Sequence, residues 1–155
     1  MNKDYKNSHS RQVGEHLVVA ELGRKGILAT PFAGNVPEID LLAYKDNKTT
    51  HIQVKTISKG VWSLNGKNYM NIQIDKGKQI LKKISSFDKN LINVFVNVGD
   101  TLGSDEFYIL NNSDLHKIVY ENYSAFLKKN KGKRPRNQTT THFGLYKSYI
   151  KKYQD

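Results

Sequence analysis

Apolar positions recur at helical spacing over residues 10–25, SRQVGEHLVVAELGRK. Val18, Val19 and Leu22 form one stripe, with Val13, Leu17 and Ala20 on its flank and Gly26 as a stop. Glu15 falls on that stripe, whereas Glu21 beside Arg24 and Lys25 reads as solvated. A carboxylate on an inward face costs free energy unless it is hydrogen-bonded, paired or bound to a cation. Glu15 is therefore either a rim residue bonded to nearby backbone or part of a polar site.

Three runs with strand character follow: ILATPFAG, EIDLLAYK and THIQVKTI, separated by Pro, Gly, Asn and Lys/Asp-rich turns. The last two are joined by KDNKTT, short enough for an antiparallel hairpin. Period-2 alternation places Glu38, Asp40 and Leu42 on one face of the second strand, and Gln53 and Lys55 on one face of the third, aligned with His51. Two adjacent strands thus present polar groups from otherwise apolar runs.

Asn65-Gly66, flanked by Trp62, Leu64, Tyr69 and Ile72, predicts a β-hairpin insertion over 60–74. DKGKQILKKISSF predicts a helix capped by Asp75, with Ile80, Leu81, Ile84 and Phe87 on one face. INVFVNVG and EFYIL read as strands. SDLHKIVYENYSAFLKK reads as a helix with Ser113 as N-cap, and NKGKRPRNQTTT as a mobile basic loop. LYKSYIKKYQD closes the chain as a short amphipathic helix grouping Tyr146, Tyr149, Ile150 and Tyr153. There is no internal repeat. The order predicts an α/β domain with a mixed central sheet flanked by helices.

At 155 residues the chain is long enough for one domain with its own core. With no cysteine, disulfides, thiolate metal sites and thiol nucleophiles are excluded. Any metal must sit on oxygen ligands or histidine, and His16, His116 and His142 lack the spacing of a metal site. A polar N-terminus and the lack of a long apolar run predict a cytoplasmic, soluble protein with no membrane contact. The formal charge is +11, unevenly spread: residues 1–127 hold 16 basic and 13 acidic side chains, residues 128–155 hold 9 and 1. The chain accordingly divides into a nearly balanced core, 1–127, and a basic extension, 128–155, packed on or extending the same domain. That extension is either a solvated tail or an arm for a polyanion.

Phosphodiester hydrolysis needs a cation against the scissile phosphate, an activated water and a donor to the transition state. The sheet face supplies such parts. Asp40 and the Gln53 side-chain oxygen are candidate ligands, Lys55 is the charged donor, and Glu15 from the helix completes the set. The Val54 carbonyl is a further candidate ligand, and Glu38 is a competitor for Glu15. All are oxygen donors, which suits Mg2+, with Mn2+ as a substitute.

These residues resemble the PD-(D/E)XK nuclease superfamily, in which a helix Glu precedes a hairpin bearing Asp and then Glu-x-Lys. They are most similar to the archaeal Holliday junction resolvase family. The matching positions are Glu15 and Gly26, Phe32-Ala33-Gly34, Asp40 in EIDLLAY, and Gln53-Val54-Lys55. Gln53 stands where an acid is usual, as in certain transposon and restriction nucleases. Ala33 stands in place of Ser, and Ile39 in place of the motif's Pro. The likeness covers about residues 10–58.

The resemblance implies a restriction-endonuclease-like domain and a Mg2+-dependent endodeoxyribonuclease, restriction-like, homing or junction-resolving. Its partner would be DNA, with no small-molecule cofactor. Because one small subunit cuts one strand, it would act as a homodimer or higher homo-oligomer. Lys128, Lys129, Lys131, Lys133, Arg134 and Arg136 would then bind phosphates without reading bases. Trp62 and Tyr69 are candidates for DNA contact, or else core aromatics. Two other classes stay open: a non-catalytic DNA-binding module on the same fold, and a protein-interaction module with a basic tail.

Overall fold

The computed structural model describes residues 3–34 and 36–155. Helix α1 (Lys3–Arg24) leads into β1 (Leu28–Pro31), β2 (Leu41–Lys45) and β3 (Lys48–Ile57), which pair antiparallel in that order. The chain then crosses through β4 (Trp62–Asn65), β5 (Met70–Asp75) and β6 (Lys78–Lys83) before β7 (Ile92–Asn97) lies parallel to β3. β8 (Glu106–Asn111) pairs antiparallel with β7, giving a mixed five-stranded sheet of order β1-β2-β3-β7-β8. Helix α2 (Asn112–Lys129), strand β9 (His142–Leu145) and the short helix α3 (Lys147–Ile150) complete the chain.

Alternation along the sheet builds two cores. Ile52, Val54, Val94 and Val96 face Val18 of α1, with Leu41 and Ala43 beside them. Phe95, Tyr108 and Leu110 point the other way, onto Trp62, Leu64, Met70 and the α2 residues Leu115, Val119, Tyr123 and Leu127. Phe143, Leu145 and Ile150 of the basic extension belong to this second core. The extension is thus held by apolar burial. No helix among the described residues is long and apolar enough to cross a membrane.

The middle of the chain departs from the sequence pattern in two places. Asn65-Gly66 makes no hairpin: Asn65 has ordinary extended backbone (φ −91°), and its side chain caps a single 3-10 turn by accepting the Lys67 N–H. β4 instead pairs with the distant β9. The expected helix after Asp75 is strand β6, because Lys76 and Gly77 take positive φ (46° and 78°), the two-residue turn that joins twisted antiparallel strands. The spacing of Ile80, Leu81, Ile84 and Phe87 mimics a helix, yet Gln79 turns inward, bonded through Nε2 to the Gln138 and Thr140 carbonyls and through Oε1 to the Tyr123 hydroxyl.

Those same bonds overturn the mobile loop. Residues 130–140 are tied to β6 through Gln79 N–H on the Gly132 carbonyl at 2.9 Å and a Lys78–Lys133 bridge. The cap of α2 is Asn111, whose side chain accepts the Asp114 N–H at 2.7 Å, two residues earlier than the Ser113 expected.

Candidate active site

β2 and β3 part company at Asp40. Its N–H donates to the Ile52 carbonyl at 2.9 Å, but beyond that rung β3 runs on without β2 alongside. The next outward N–H on β3, that of Val54, is taken by the Asp40 carboxylate at 2.8 Å. A residue in extended conformation presents its N–H and C=O on one edge, so the Val54 carbonyl faces the same gap. The divergence of two strands makes the polar notch.

Residues 36–40 reach this notch by a turn in which Glu38 has φ 74°. The strand alternation expected for Glu38 and Asp40 therefore does not hold: β2 begins only at Leu41, and the turn aims both acids into the cleft. A non-glycine residue held at positive φ is strained, and such strain gathers at functional sites.

Helix α1 closes the other side. Gly14 lies against Thr56 of β3, and this close approach brings Arg11 and Glu15 over the strand ends. The resulting cleft, about 600 Å³, is lined by Arg11, Glu15, Glu38, Asp40, Gln53, Val54 and Lys55 together with apolar loop residues. The four residues read as catalytic from the sequence thus share one cleft. His51, although aligned with Gln53 on β3, is not among its lining residues; its ring lies 3.9 Å from Asp88.

Arg11 was not foreseen. Its guanidinium donates to Glu15 at 2.9 Å and to Asp40 at 2.6 Å, so one cation serves two largely buried carboxylates (16% and 9% exposed). The Arg11–Glu15 spacing of four on a helix is legible in the sequence. Its second bond, to a residue 29 positions away, is not.

Lys55 is the other cation. Burial lowers its pKa, and the positive charge of Arg11 acts in the same direction, while Asp40 and Glu38 oppose the shift. Lysines with depressed pKa values are characteristic of sites that transfer protons or bind anions. Among the described residues no group of three His, Asp or Glu converges for a metal. Any cation here would rest on two carboxylates plus the neutral oxygens of Gln53 and Val54.

The aromatic residues lie elsewhere. Trp62 is 1% exposed, edge-on to Phe95 and Tyr108, with its indole N–H on the Lys55 and Val96 carbonyls. Tyr69 is 7% exposed and packs edge-on to His116. Both are core residues, which corrects their reading as DNA contacts.

The basic positions are scattered. Lys128 and Lys129 end α2, Lys131 and Lys133 sit in the turn after it, and Arg136 lies exposed beyond. Arg134 is used internally: it lies over the Tyr123 and Phe126 rings and donates to the Tyr123 hydroxyl and the His142 carbonyl.

No protein-family model and no curated protein matches the chain. Among solved structures, the chain is similar to a bacterial homing endonuclease, I-Ssp6803I, at 11% identity and a TM-score of 0.46, over 80% of this chain and 95% of that one.

Proposed function

We propose that this chain is a metal-dependent endodeoxyribonuclease of the PD-(D/E)XK type, with Gln in the usual acidic position. The observation that carries the reading is the convergence of Glu15 and Asp40 on a single positive charge, beside Lys55, where two strands diverge. A divalent cation fits this chemistry: the Glu15 and Asp40 carboxylates already accommodate a cation between them, and Gln53 and the Val54 carbonyl add only oxygen donors. Magnesium, or manganese in its place, would when bound offset charge on the scissile phosphate and acidify a water.

The chain's own groups supply the rest. Lys55 projects from β3 beside Asp40, where its ammonium donates to a phosphate oxygen, and burial makes it a readier proton donor than an exposed lysine. Arg11 presents a planar fork of donors that matches a phosphate as well as a carboxylate. One cleft attacks one strand, so a homodimer or higher homo-oligomer is the assembly proposed for cutting both.

A second reading, a non-catalytic DNA-binding module, has one observation in its favour: Arg11 satisfies both carboxylates. The experiment that decides is incubation with supercoiled plasmid, a four-way junction and RNA, with Mg2+ or Mn2+, beside Lys55→Ala and Asp40→Asn. Cleavage by the wild-type chain alone supports the first reading. Cleavage surviving both substitutions overturns the site. Binding without cleavage selects the second reading.

A further inference from the structure

The site cleft continues. A second cleft of about 420 Å³ shares Arg11, Val54 and Lys55 with it and ends at Ser63 on β4. A third, of similar volume, starts at Ser63, crosses the outer face of β4 and β9, and ends at Thr140. A fourth runs from Thr140 along the loop to Arg134 and Arg136. The first two share Arg11, Val54 and Lys55, and the later junctions rest on Ser63 and on Thr140, so the four clefts adjoin one another from the carboxylates to the basic loop.

Charge divides sharply along it. The groove's lining carboxylates, Glu15, Glu38 and Asp40, all belong to the first cleft; among the described residues the other three clefts have none. Those clefts instead carry Lys55, Lys59, Arg134 and Arg136. Between the cations lies a flat polar floor. Trp62, Leu64, Phe143 and Leu145 point into the core, which turns Ser63, Asn65, His142 and Gly144 outward. Ser63 and His142 hydrogen-bond at 3.0 Å, and Thr141 donates to Asn65 at 2.9 Å, so the floor is braced. Gly144, opposite Ser63, makes room for the Val61 and Tyr146 side chains, which border the floor on that side.

We infer that this groove is the path of the DNA backbone leaving the scissile phosphate, running over the outer face of the β4–β9 ribbon to Arg136. The inference rests on the nuclease reading of the first cleft. Small hydroxyl and amide groups on a rigid strand, with cations at both ends and no carboxylate between, suit phosphates rather than bases. A four-residue strand spans about 13 Å, roughly four base-pair rises of ~3.4 Å. Arg136 ends the path, whereas Lys128 and Lys129 do not line it.

The chain has no cysteine, so single thiols can be placed at will. Ser63→Cys and the off-path Leu102→Cys, the latter 98% exposed on another loop, are to be mixed in EDTA with a duplex whose phosphate tethers end in a mixed disulfide, so that exchange releases a small thiol. Disulfide formation is expected at Ser63→Cys and absent at Leu102→Cys. In parallel, Arg136→Ala should lower the slope of log affinity against log salt by about 1, and Lys129→Ala should leave it unchanged. Equal crosslinking at both thiols, none at Ser63→Cys in a chain that binds the duplex with wild-type affinity, or equal slopes for the two substitutions overturns the path. Cleavage is scored separately with Mg2+: crosslinking at Ser63→Cys without cleavage sinks the hydrolytic reading and keeps the path, while cleavage without crosslinking sinks the path and keeps the nuclease.

Discussion

The Arg11 guanidinium meets the Asp40 carboxylate at 2.6 Å through one terminal nitrogen while holding Glu15 through Nε. On the proposed metal site, Arg11 and a divalent cation would compete for the same two acids. Arg11→Gln is expected to bind Mn2+ more tightly than wild type in calorimetry without DNA. Because the arginine is largely exposed, each pair is worth about 1 kcal/mol or less, so the gain is a few-fold in Kd. Unchanged or weaker binding would mean that the carboxylates are not the ligands.

Lys55 carries a cost that its proposed role would explain. Burial leaves its folded-state pKa below the 10.5 of an exposed lysine. In the window between those two values the unfolded chain holds a proton that the folded chain has lost, so stability rises with pH there. Below the window the folded state bears the penalty of a half-buried charge. Lys55→Met should therefore melt above wild type at pH 7 and show a flatter stability profile on the alkaline side, while losing cleavage. A lower melting temperature would show that the lysine's contacts outweigh its desolvation.

The neighbours of Lys55 act on it with opposite signs. Asp40 raises its pKa and Arg11 lowers it. Following the Lys55 side chain by NMR across alkaline pH, Asp40→Asn should move the midpoint down and Arg11→Gln should move it up. Shifts in the same direction would refute the arrangement of charges around the cleft.

Gly14 and Thr56 set the height of α1 above the sheet. A Cβ at position 14 would fall 1.8 Å from the Thr56 hydroxyl oxygen, far inside contact distance. Gly14→Ala gains about 1 kcal/mol of helix propensity but must push α1 off β3, at a cost of about 1–3 kcal/mol. Because Arg11 and Glu15 ride on that helix, the variant should lose metal affinity as well as stability. Adding Thr56→Ala removes the closest contact and should restore part of both. No rescue would place the clash elsewhere.

The parts of the fold written in local periodicity were legible: α1 from residue 10 onward, though the helix begins at Lys3, the three strands after it, β7, β8 and α2. Glu15 was legible from the helical stripe and Gln53 and Lys55 from alternation along β3, whereas Asp40 joins them through the turn that precedes β2 rather than by alternation. What stayed hidden depends on distant partners. β4 pairs with β9 some 80 residues later, and no local signal distinguishes that from a hairpin closed by Asn65-Gly66. Ile80, Leu81, Ile84 and Phe87 satisfy a helix as well as a strand, and the choice falls to the Lys76–Gly77 turn and to the inward bonds of Gln79. Arg11 is the same case at the site, since its bond to Asp40 exists only once α1 has docked.

Trp62 tests that long-range packing directly. Its ring lies edge-on to Phe95 at 5.4 Å and to Tyr108 at 5.7 Å, and its N–H bonds the Lys55 carbonyl at 3.0 Å. Truncation to Ala removes the centre of the larger core and should cost about 3–5 kcal/mol, enough to unfold much of a domain of this size. Trp62→Phe keeps most of the volume but leaves the Lys55 carbonyl short of a donor, so it should lower stability by less and reduce cleavage through Lys55. As the sole tryptophan, Trp62 also reports on itself. Its emission should be blue-shifted, shielded from iodide and unchanged when duplex DNA is added. Quenching on DNA addition would return Trp62 to the nucleic-acid surface and break the link between the ribbon's inner face and the strand that carries Lys55.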